Sequence, residues 1–497
     1  MKKRIKFIAG IVAACAVLSS CGFGADSGSN DSNNSESSSE AEIDLREFES
    51  DNKFITFADL PPDALSEKAL NVYKDLGMTV CLLGEDYVSF TDKQGNITDG
   101  YKKSIENIEK SGMEVWIRNY RNSYDYFQND SEKEGSNYGV PYIRPVRNVT
   151  TELQSYNGLS GFYMADEPYM YSLEDNPLTT GYGFDESLFA ALDQYDELIN
   201  WKNQYYPDDF FHMNMVPSSS IDHYKGYTYE EFIRSYVNRI IKRLTSGGRS
   251  VCLDNYPFGF DNKTKISDSY LSDILTAARV CKEYNDNVQT DRKATFGICL
   301  QTFENMTSSV RLKDIECPEE VTFQLYTGMA TGANLFEYFC YRSIAGMKGI
   351  LDDNGNARIY DIVKSANESA LWYASVLGAF EWQGIKTSFA SVESQIENRT
   401  AFDIVENYVL QNAGCLGAVT SKLDTLIGCF KKGERDGYMF VNYTAPYNKE
   451  TDVVTVEFKG KSKAAIYQGG TVKVVHLAEG KIRLTLKSGD AAFVIPV

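Results

Sequence analysis

The sequence predicts an α/β fold, a (β/α)8 TIM barrel followed by a C-terminal antiparallel β-sandwich. Through most of the chain, continuous apolar runs of strand length alternate with segments of helical periodicity, which is typical of parallel strands covered by helices on both faces. After residue 382 the helical periodicity ends, and short apolar runs follow one another between turn residues, as in a sandwich. The predicted organisation is a signal peptide at 1–20, a flexible tether at 21–50, the barrel at 51–382 and the sandwich at 383–497.

The N-terminal segment predicts the compartment. A cationic stretch at 1–6 precedes an apolar stretch at 7–17 that is too short to span a bilayer, as in a signal peptide. Residues 18–21, LSSC, resemble a bacterial lipobox, and the resemblance implies that Cys21 is lipidated. Residues 22–41 hold seven serines and little that is apolar, so they form a tether rather than a core. We expect an extracytoplasmic lipoprotein that contacts the membrane through its lipid anchor only.

Composition excludes several classes of protein. The 497 residues are 43% hydrophobic and 24% charged, which is ordinary for a globular chain. The net charge of -19 becomes more negative when a basic signal peptide is removed, and such a chain is repelled by nucleic acid. Only three histidines occur, and no C-x-x-C motif is present. We therefore expect no structural zinc site and no cofactor.

Eight apolar runs are predicted as the barrel strands. A doubly wound sheet is the alternative, but no G-x-G-x-x-G motif follows any of these runs and no P-loop occurs, so the barrel is favoured. The predicted strands are 54–59, 78–83, 114–119, 159–165, 211–216, 251–254, 295–301 and 334–341.

Seven short runs are predicted as sandwich strands, at 426–431, 438–444, 453–458, 464–467, 471–477, 482–486 and 491–497. Two cysteines in this region, Cys415 and Cys429, could pair, although their spacing alone does not establish a disulfide.

Polar residues at the strand ends carry the functional information, because active sites of such barrels lie there. Strand four reads GFYMADEP and ends in Asp166 and Glu167, a carboxylate pair that is costly unless it is used or solvated in a loop. Asp254 ends strand six. The residues expected to bind substrate are Asp166 and the other polar residues near the strand ends, Arg118, Asn119, Asn214, Tyr256 and Gln301.

Glu337 stands inside the apolar run of strand eight. An unpaired carboxylate facing the helix layer would cost several kcal/mol, so we expect it to face the barrel lumen. Its role is open between catalysis and a buried ion pair, for instance with Arg118.

Five segments follow one another along the chain: GFYMADEP, MNMVP, CLDNYP, CLQTF and PEEVTFQLYTGMATGANLFEYFCYR. Together they resemble clan A glycoside hydrolases, particularly family-42 β-galactosidase-like barrels and their secreted relatives, and the resemblance covers roughly residues 54–342. It implies an oligosaccharide or polysaccharide substrate and a general acid/base at Glu167. It also implies a nucleophilic glutamate at the end of strand seven, where this chain has Gln301, a side chain that cannot ionise.

Glycoside hydrolysis needs a second carboxylate beside the general acid. The candidates are Glu337 and Asp254, ranked equally, and then Glu304, which lies three residues beyond strand seven and is less rigidly held. Asp166 beside Glu167 would raise the pKa of the acid by like-charge proximity. The sequence is therefore interpreted as a surface-tethered glycoside hydrolase, with a carbohydrate-binding lipoprotein that has lost its nucleophile as the alternative.

Replacing Cys21 by alanine should transfer the protein from the membrane to the soluble fraction and leave the folded domain unchanged, because the serine-rich tether adds nothing to a core. Cell fractionation with immunoblotting measures the change. Cys15→Ala, within the apolar stretch, is the matched control and should stay anchored. A Cys21→Ala protein still found with the membranes would contradict lipidation at this residue.

Overall fold

The barrel is a closed parallel sheet. The computed structural model describes residues 44–50, 54–60, 65–84, 98–118, 154–166, 196–219, 228–306, 311–344, 346–388 and 408–497, of which Leu45–Val497 belong to one unit. Within these ranges, nine segments form one sheet: β1 (Ile55–Phe57), β2 (Asp59–Leu60), β3 (Val80–Gly84), β4 (Glu114–Arg118), β5 (Leu159–Asp166), β6 (Phe210–Met215), β7 (Ser250–Asp254), β8 (Thr295–Gln301) and β9 (Leu335–Phe339).

The ring closes at its first strand, which is split in two at Ala58. Before the split, β1 pairs with β9, with Phe57 opposite Glu337; after it, β2 pairs with β3. The buried Tyr73 hydroxyl lies 2.8 Å from both the nitrogen and the oxygen of Ala58 and 2.9 Å from the Val80 oxygen. This side chain therefore supplies partners for the backbone groups at the split.

Helices cover the outside of the sheet. They are α1 (Glu67–Asp75), α2 (Asp99–Ser111), α3 (Asp196–Tyr205), α4 (Tyr229–Arg239), α5 (Asp268–Asn285), α6 (Pro318–Ala330) and α7 (Tyr360–Leu377). Local sequence sets several ends. Thr228 and Glu231 form a capping box at the start of α4, and Gly112 ends α2 at a φ of 74°, where glycine carries no steric penalty. No helix among the described residues is long and apolar enough to cross a bilayer.

Side chains of alternate strand positions fill the lumen. Phe57, Trp116 and Tyr163 pack together there with Cys252 and Leu335. Gly297 on β8 makes room beside them, because a Cβ at this position would lie 2.6 Å from the Leu335 Cδ2 atom and 3.2 Å from the Cys252 sulfur. The lower lumen is thus a packed core rather than a channel.

The sandwich contains a six-stranded and a three-stranded antiparallel sheet. The larger has the order β10-β12-β13-β18-β15-β16 and the smaller β11-β14-β17. The strands are β10 (Glu381–Ser388), β11 (Leu416–Thr420), β12 (Thr425–Lys432), β13 (Arg435–Asn442), β14 (Thr451–Phe458), β15 (Lys463–Gln468), β16 (Thr471–His476), β17 (Lys481–Lys487) and β18 (Ala491–Pro496). Inward residues of both sheets, such as Phe440 and Val456, share one core.

Helices α6 and α7 join the sandwich to the barrel. The Trp382 indole donates a hydrogen bond to the Ala330 carbonyl at 2.9 Å, and the Tyr373 hydroxyl donates to the Ala491 carbonyl at 2.7 Å. Gly428 lies so close to Ala330 that a Cβ there would be 2.3 Å from its carbonyl oxygen. Small and aromatic residues therefore determine the distance between these two helices and the sandwich.

The predicted fold class is confirmed. Each of the eight predicted barrel strands corresponds to an observed one, and the seven predicted sandwich runs correspond to β12–β18. The sandwich has two further strands, β10 and β11, and β10 spans the boundary predicted at residue 382. Cys415 and Cys429 are free thiols rather than a disulfide.

Gly297→Ala should destabilise the protein by about 1–3 kcal/mol, because the added methyl group overpacks the lumen against Leu335. The midpoint of thermal unfolding measures the loss. Gly259→Ala is the matched control, since a Cβ at that loop position meets nothing within 4 Å. An unchanged midpoint for Gly297→Ala would show that the lumen yields more readily than its packing indicates.

Candidate active site

The carboxyl ends of the barrel strands place polar side chains around one rim. Asp166 at the end of β5 pairs in register with Asn214 on β6. Asp254 at the end of β7 pairs with Cys299 on β8, and Cys299 pairs with Glu337 on β9. Residues predicted from separate strand ends are thus neighbours along the rim and upper lumen.

Asp254 ends its strand at the rim and is half-buried. The Tyr256 side chain is close enough to Asp254 for the negative charge of that carboxylate to act on its hydroxyl group, which lies 3.5 Å from the Cys299 sulfur. Burial, followed by the negative charge of Asp254, raises the pKa of Tyr256 well above its ordinary value. Tyr256 therefore stays a protonated hydrogen-bond donor beside Asp254, a half-buried residue whose Oδ1 atom is itself buried.

Glu337 lies deeper than Asp254. Its side chain is only 5% exposed, and its Oε2 atom is 3.5 Å from the Nε2 atom of His212. The other ring nitrogen of His212 is 2.8 Å from the Ser250 hydroxyl. Burial, and then the positive charge of Arg118, lowers the pKa of His212 to about 3, so the imidazole is neutral near pH 7.

Arg118 on β4 forms a largely buried ion pair with Asp59 on β2, two strands away in the sheet. Its guanidinium also lies 4.5 Å from the centre of the Tyr163 ring, a cation–π distance. The carboxylate of Asp59 was not among the residues predicted from the sequence, yet it is the observed partner of Arg118. Opposite charges close together stabilise each other in a medium of low dielectric constant.

Gln301 is fully buried, and its side-chain amide forms hydrogen bonds with backbone groups. The side-chain oxygen accepts a hydrogen bond from the Phe258 nitrogen at 3.0 Å. The side-chain nitrogen donates to the carbonyls of Phe258 and Lys313 at 3.2 and 2.9 Å. This arrangement favours a structural role for Gln301, which holds two loops together, over the predicted contact with substrate.

Glu304 pairs with a surface cation. Its carboxylate contacts the Lys348 ammonium, and the backbones of these two residues form an antiparallel bridge with two 3.1 Å hydrogen bonds. The backbone at Glu304 is therefore more ordered than expected of a loop. The carboxylate of Glu304, however, is already in an ion pair with Lys348.

Asn214 is 1% exposed, and its side-chain oxygen has no hydrogen-bond partner in the described part of the chain. A buried acceptor without a hydrogen-bond partner is unusual.

The predicted residues Cys21, Asn119 and Glu167 lie outside the described residues, as does the side chain of Asp166.

Sequence reasoning missed His212, although the signal was available. His212 and Asn214 are polar residues two apart within the apolar run of strand five, so both face the same side as the lumen residues. The argument that placed Glu337 in the lumen applies equally to His212.

Solved structures of glycoside hydrolases share this fold. A family 42 β-galactosidase from G. stearothermophilus, solved as a catalytic mutant, aligns with a TM-score of 0.56 and 9% identity over 90% of this chain and 99% of that one. A family 39 enzyme from the gut symbiont Bacteroides cellulosilyticus WH2 aligns with a TM-score of 0.50 and 10% identity over 91% and 82%. No family model matches the sequence, and no curated protein does. The chain therefore has a glycoside hydrolase-like fold.

Asp273 on α5 forms hydrogen bonds with two of the loops at the rim. This buried carboxylate accepts hydrogen bonds through one oxygen from the Ser218 backbone at 2.9 Å and from the Asn255 side chain at 2.8 Å. Ser218 follows β6 and Asn255 follows β7, so a single oxygen atom links two rim loops. Burial raises the pKa of Asp273 to about 7.

Asp273→Asn should gain stability relative to the wild type as the pH rises from about 4 to about 7. A folded-state pKa raised from 3.8 to about 7 means that the native protein binds more protons than the unfolded chain in this window, so wild-type stability falls as pH rises. The amide keeps an acceptor oxygen but does not ionise. Thermal unfolding of both proteins across this pH range measures the difference, with the exposed Asp261→Asn as control. Parallel pH profiles for wild type and Asp273→Asn would contradict the shifted pKa.

Proposed function

We propose that this protein is a glycoside hydrolase that acts on oligosaccharides at the outer face of the membrane, to which the lipidated Cys21 tethers it. Glu167 is the general acid/base, and Asp254 is the second carboxylate. The observation that carries the proposal is the position of Asp254, a half-buried residue at the end of its strand beside Tyr256. The strand that ends in Asp166, immediately before Glu167 in sequence, lies two places away around the sheet.

Accessibility favours Asp254 over the other two candidates. A nucleophile or water-activating base must reach the anomeric carbon, and Asp254 stands at a strand end with part of its surface exposed. Glu337 is one of the buried lumen residues and contacts His212, and Glu304 is neutralised by Lys348. Asp254 is therefore the carboxylate best placed to meet a substrate.

The environment of Asn214 favours the binding of a polar ligand at the same rim. Its side-chain oxygen is buried without a hydrogen-bond partner in the described ranges, and a sugar hydroxyl is a donor that would satisfy it. Asn214 pairs in register with both Asp166 and Cys252, which lies two residues before Asp254 on β7. We assign it to substrate binding.

Gln301 favours a second function, that of a carbohydrate-binding lipoprotein which captures sugar for uptake. The residue at the family's nucleophile position is an amide whose hydrogen bonds all serve the loops. A barrel with this substitution keeps a sugar-binding rim while losing the usual covalent step. Binding without turnover would be the property of such a protein.

Glu167→Gln should lower turnover by roughly 10²-fold to 10⁴-fold for substrates with poor leaving groups, the usual contribution of general acid catalysis. Activated aryl glycosides should be affected much less, because they depart without protonation. Asp254→Asn should lower turnover of both substrate types to a similar extent, because attack at the anomeric carbon needs this carboxylate whatever leaves. Steady-state kinetics on a panel of aryl glycosides and oligosaccharides measures both effects.

Glu304→Gln is the control and should retain wild-type turnover. Equal losses in Glu337→Gln and none in Asp254→Asn would transfer the role of second carboxylate to Glu337. Wild-type protein that binds sugar in calorimetry but turns over none of the panel would establish the capture function instead.

A further inference from the structure

Three residues of different metal-binding chemistry meet in the barrel lumen. His212, Cys252 and Glu337 come from β6, β7 and β9 and are all buried, and one donor atom of each lies within 4.8 Å of the others. Imidazole, thiolate and carboxylate are the three side-chain ligands that zinc takes in proteins. The sequence predicts no structural zinc site, because the three residues are far apart along the chain and form no ligand motif.

The spacing within the cluster fits a shared metal ion better than a direct hydrogen bond. His212 Nε2 and Glu337 Oε2 are 3.5 Å apart, which exceeds the range of about 2.7–3.2 Å for N–H···O hydrogen bonds. Two ligands on one tetrahedral zinc, with bonds of about 2.0–2.2 Å, are separated by about 3.4 Å. The observed distance is therefore the one that two zinc ligands adopt.

The His212 ring is already oriented for coordination. Its Nδ1 atom is 2.8 Å from the Ser250 hydroxyl, the kind of outer contact that fixes a metal-binding imidazole. Its Nε2 atom is fully buried and makes no hydrogen bond within the described part of the chain. This unsatisfied nitrogen points towards Glu337.

The charges around the cluster favour a cation. Arg118, whose positive charge acts on His212, is paired with Asp59. Two further carboxylates whose side chains are described lie on the strands of the cluster or between them: Glu337 itself and Asp254, which is in register with the same β8 residue as Glu337. A divalent ion would therefore enter a region of net negative formal charge.

We propose that the barrel lumen binds one Zn²⁺ through His212 Nε2, the Cys252 sulfur and a Glu337 oxygen, with water as the fourth ligand. The ion would bind the thiolate, so coordination releases the Cys252 proton to the solvent without oxidation or reduction. The ion would link strands β6, β7 and β9 below the rim. The proposal is independent of glycoside hydrolysis, because metal content is measured without any substrate.

The test uses the purified full chain, stripped with a chelator and then equilibrated with Zn²⁺. Elemental analysis after gel filtration should find one zinc per wild-type chain. His212→Gln and Cys252→Ser should each weaken zinc binding by at least tenfold. Cys281→Ser is the matched control, since Cys281 is another buried thiol, on α5 and outside the cluster, and it should bind as the wild type does.

A second measurement does not depend on the folding of any variant. Wild-type protein loaded with Co²⁺ should show tetrahedral visible bands together with the near-ultraviolet absorption of a cobalt–thiolate bond. Wild-type chains that take up no zinc, that lack the thiolate absorption, or that bind zinc no better than a folded Cys252→Ser variant would each overturn the proposal. Circular dichroism identifies which variants are folded.

Discussion

The split of the first barrel strand at Ala58 is the constraint on which the rest of the barrel depends. Because β1 pairs with the last strand and β2 with the second, the sheet closes only if the chain steps sideways between them. Tyr73 makes this possible by providing partners for the Ala58 backbone. The step sets Phe57 opposite Glu337 and carries Asp59 towards Arg118, so the contents of the lumen follow from it.

Charge inside the lumen is organised in pairs. Asp59 pairs with Arg118, His212 lies between Ser250 and Glu337, and Tyr256 lies within the electrostatic influence of Asp254. A buried ionisable group without such a neighbour is costly. His212 and Tyr256 are perturbed in this way: burial and Arg118 lower the pKa of His212 to about 3, and burial and Asp254 raise the pKa of Tyr256. Perturbed groups of this kind concentrate at functional sites. The contacts that stabilise the barrel therefore also determine the charges around its lumen.

The parts of the fold that the sequence predicts are those with local signals. Parallel strands buried on both faces leave continuous apolar runs, so all eight barrel strands are visible in the sequence. Strand β11 is half-exposed and β10 reads EWQGIKTS, without a continuous apolar run, and both escape prediction. The position of Glu337 in the lumen can be predicted from the sequence, because burying its charge against the helix layer would be costly. The partners of the lumen residues do not follow, because Asp59, His212 and Ser250 reach them through barrel closure rather than sequence spacing.

Gln301 shows how a substitution becomes fixed by its surroundings. Its amide gives one acceptor to the Phe258 nitrogen and two donors to the carbonyls of Phe258 and Lys313. A glutamate here would set a carboxylate against the carbonyl oxygens of Phe258 and Lys313. The Phe258 carbonyl would keep the Lys313 N–H at 3.2 Å as a donor, whereas the Lys313 carbonyl would lose the donor that Gln301 supplies, and a buried polar group left in that state costs roughly 1–3 kcal/mol. Gln301→Glu would thus require the two loops to be rebuilt at the same time. The identity of this side chain is therefore part of the loop architecture, and it cannot be exchanged independently of the segments around it.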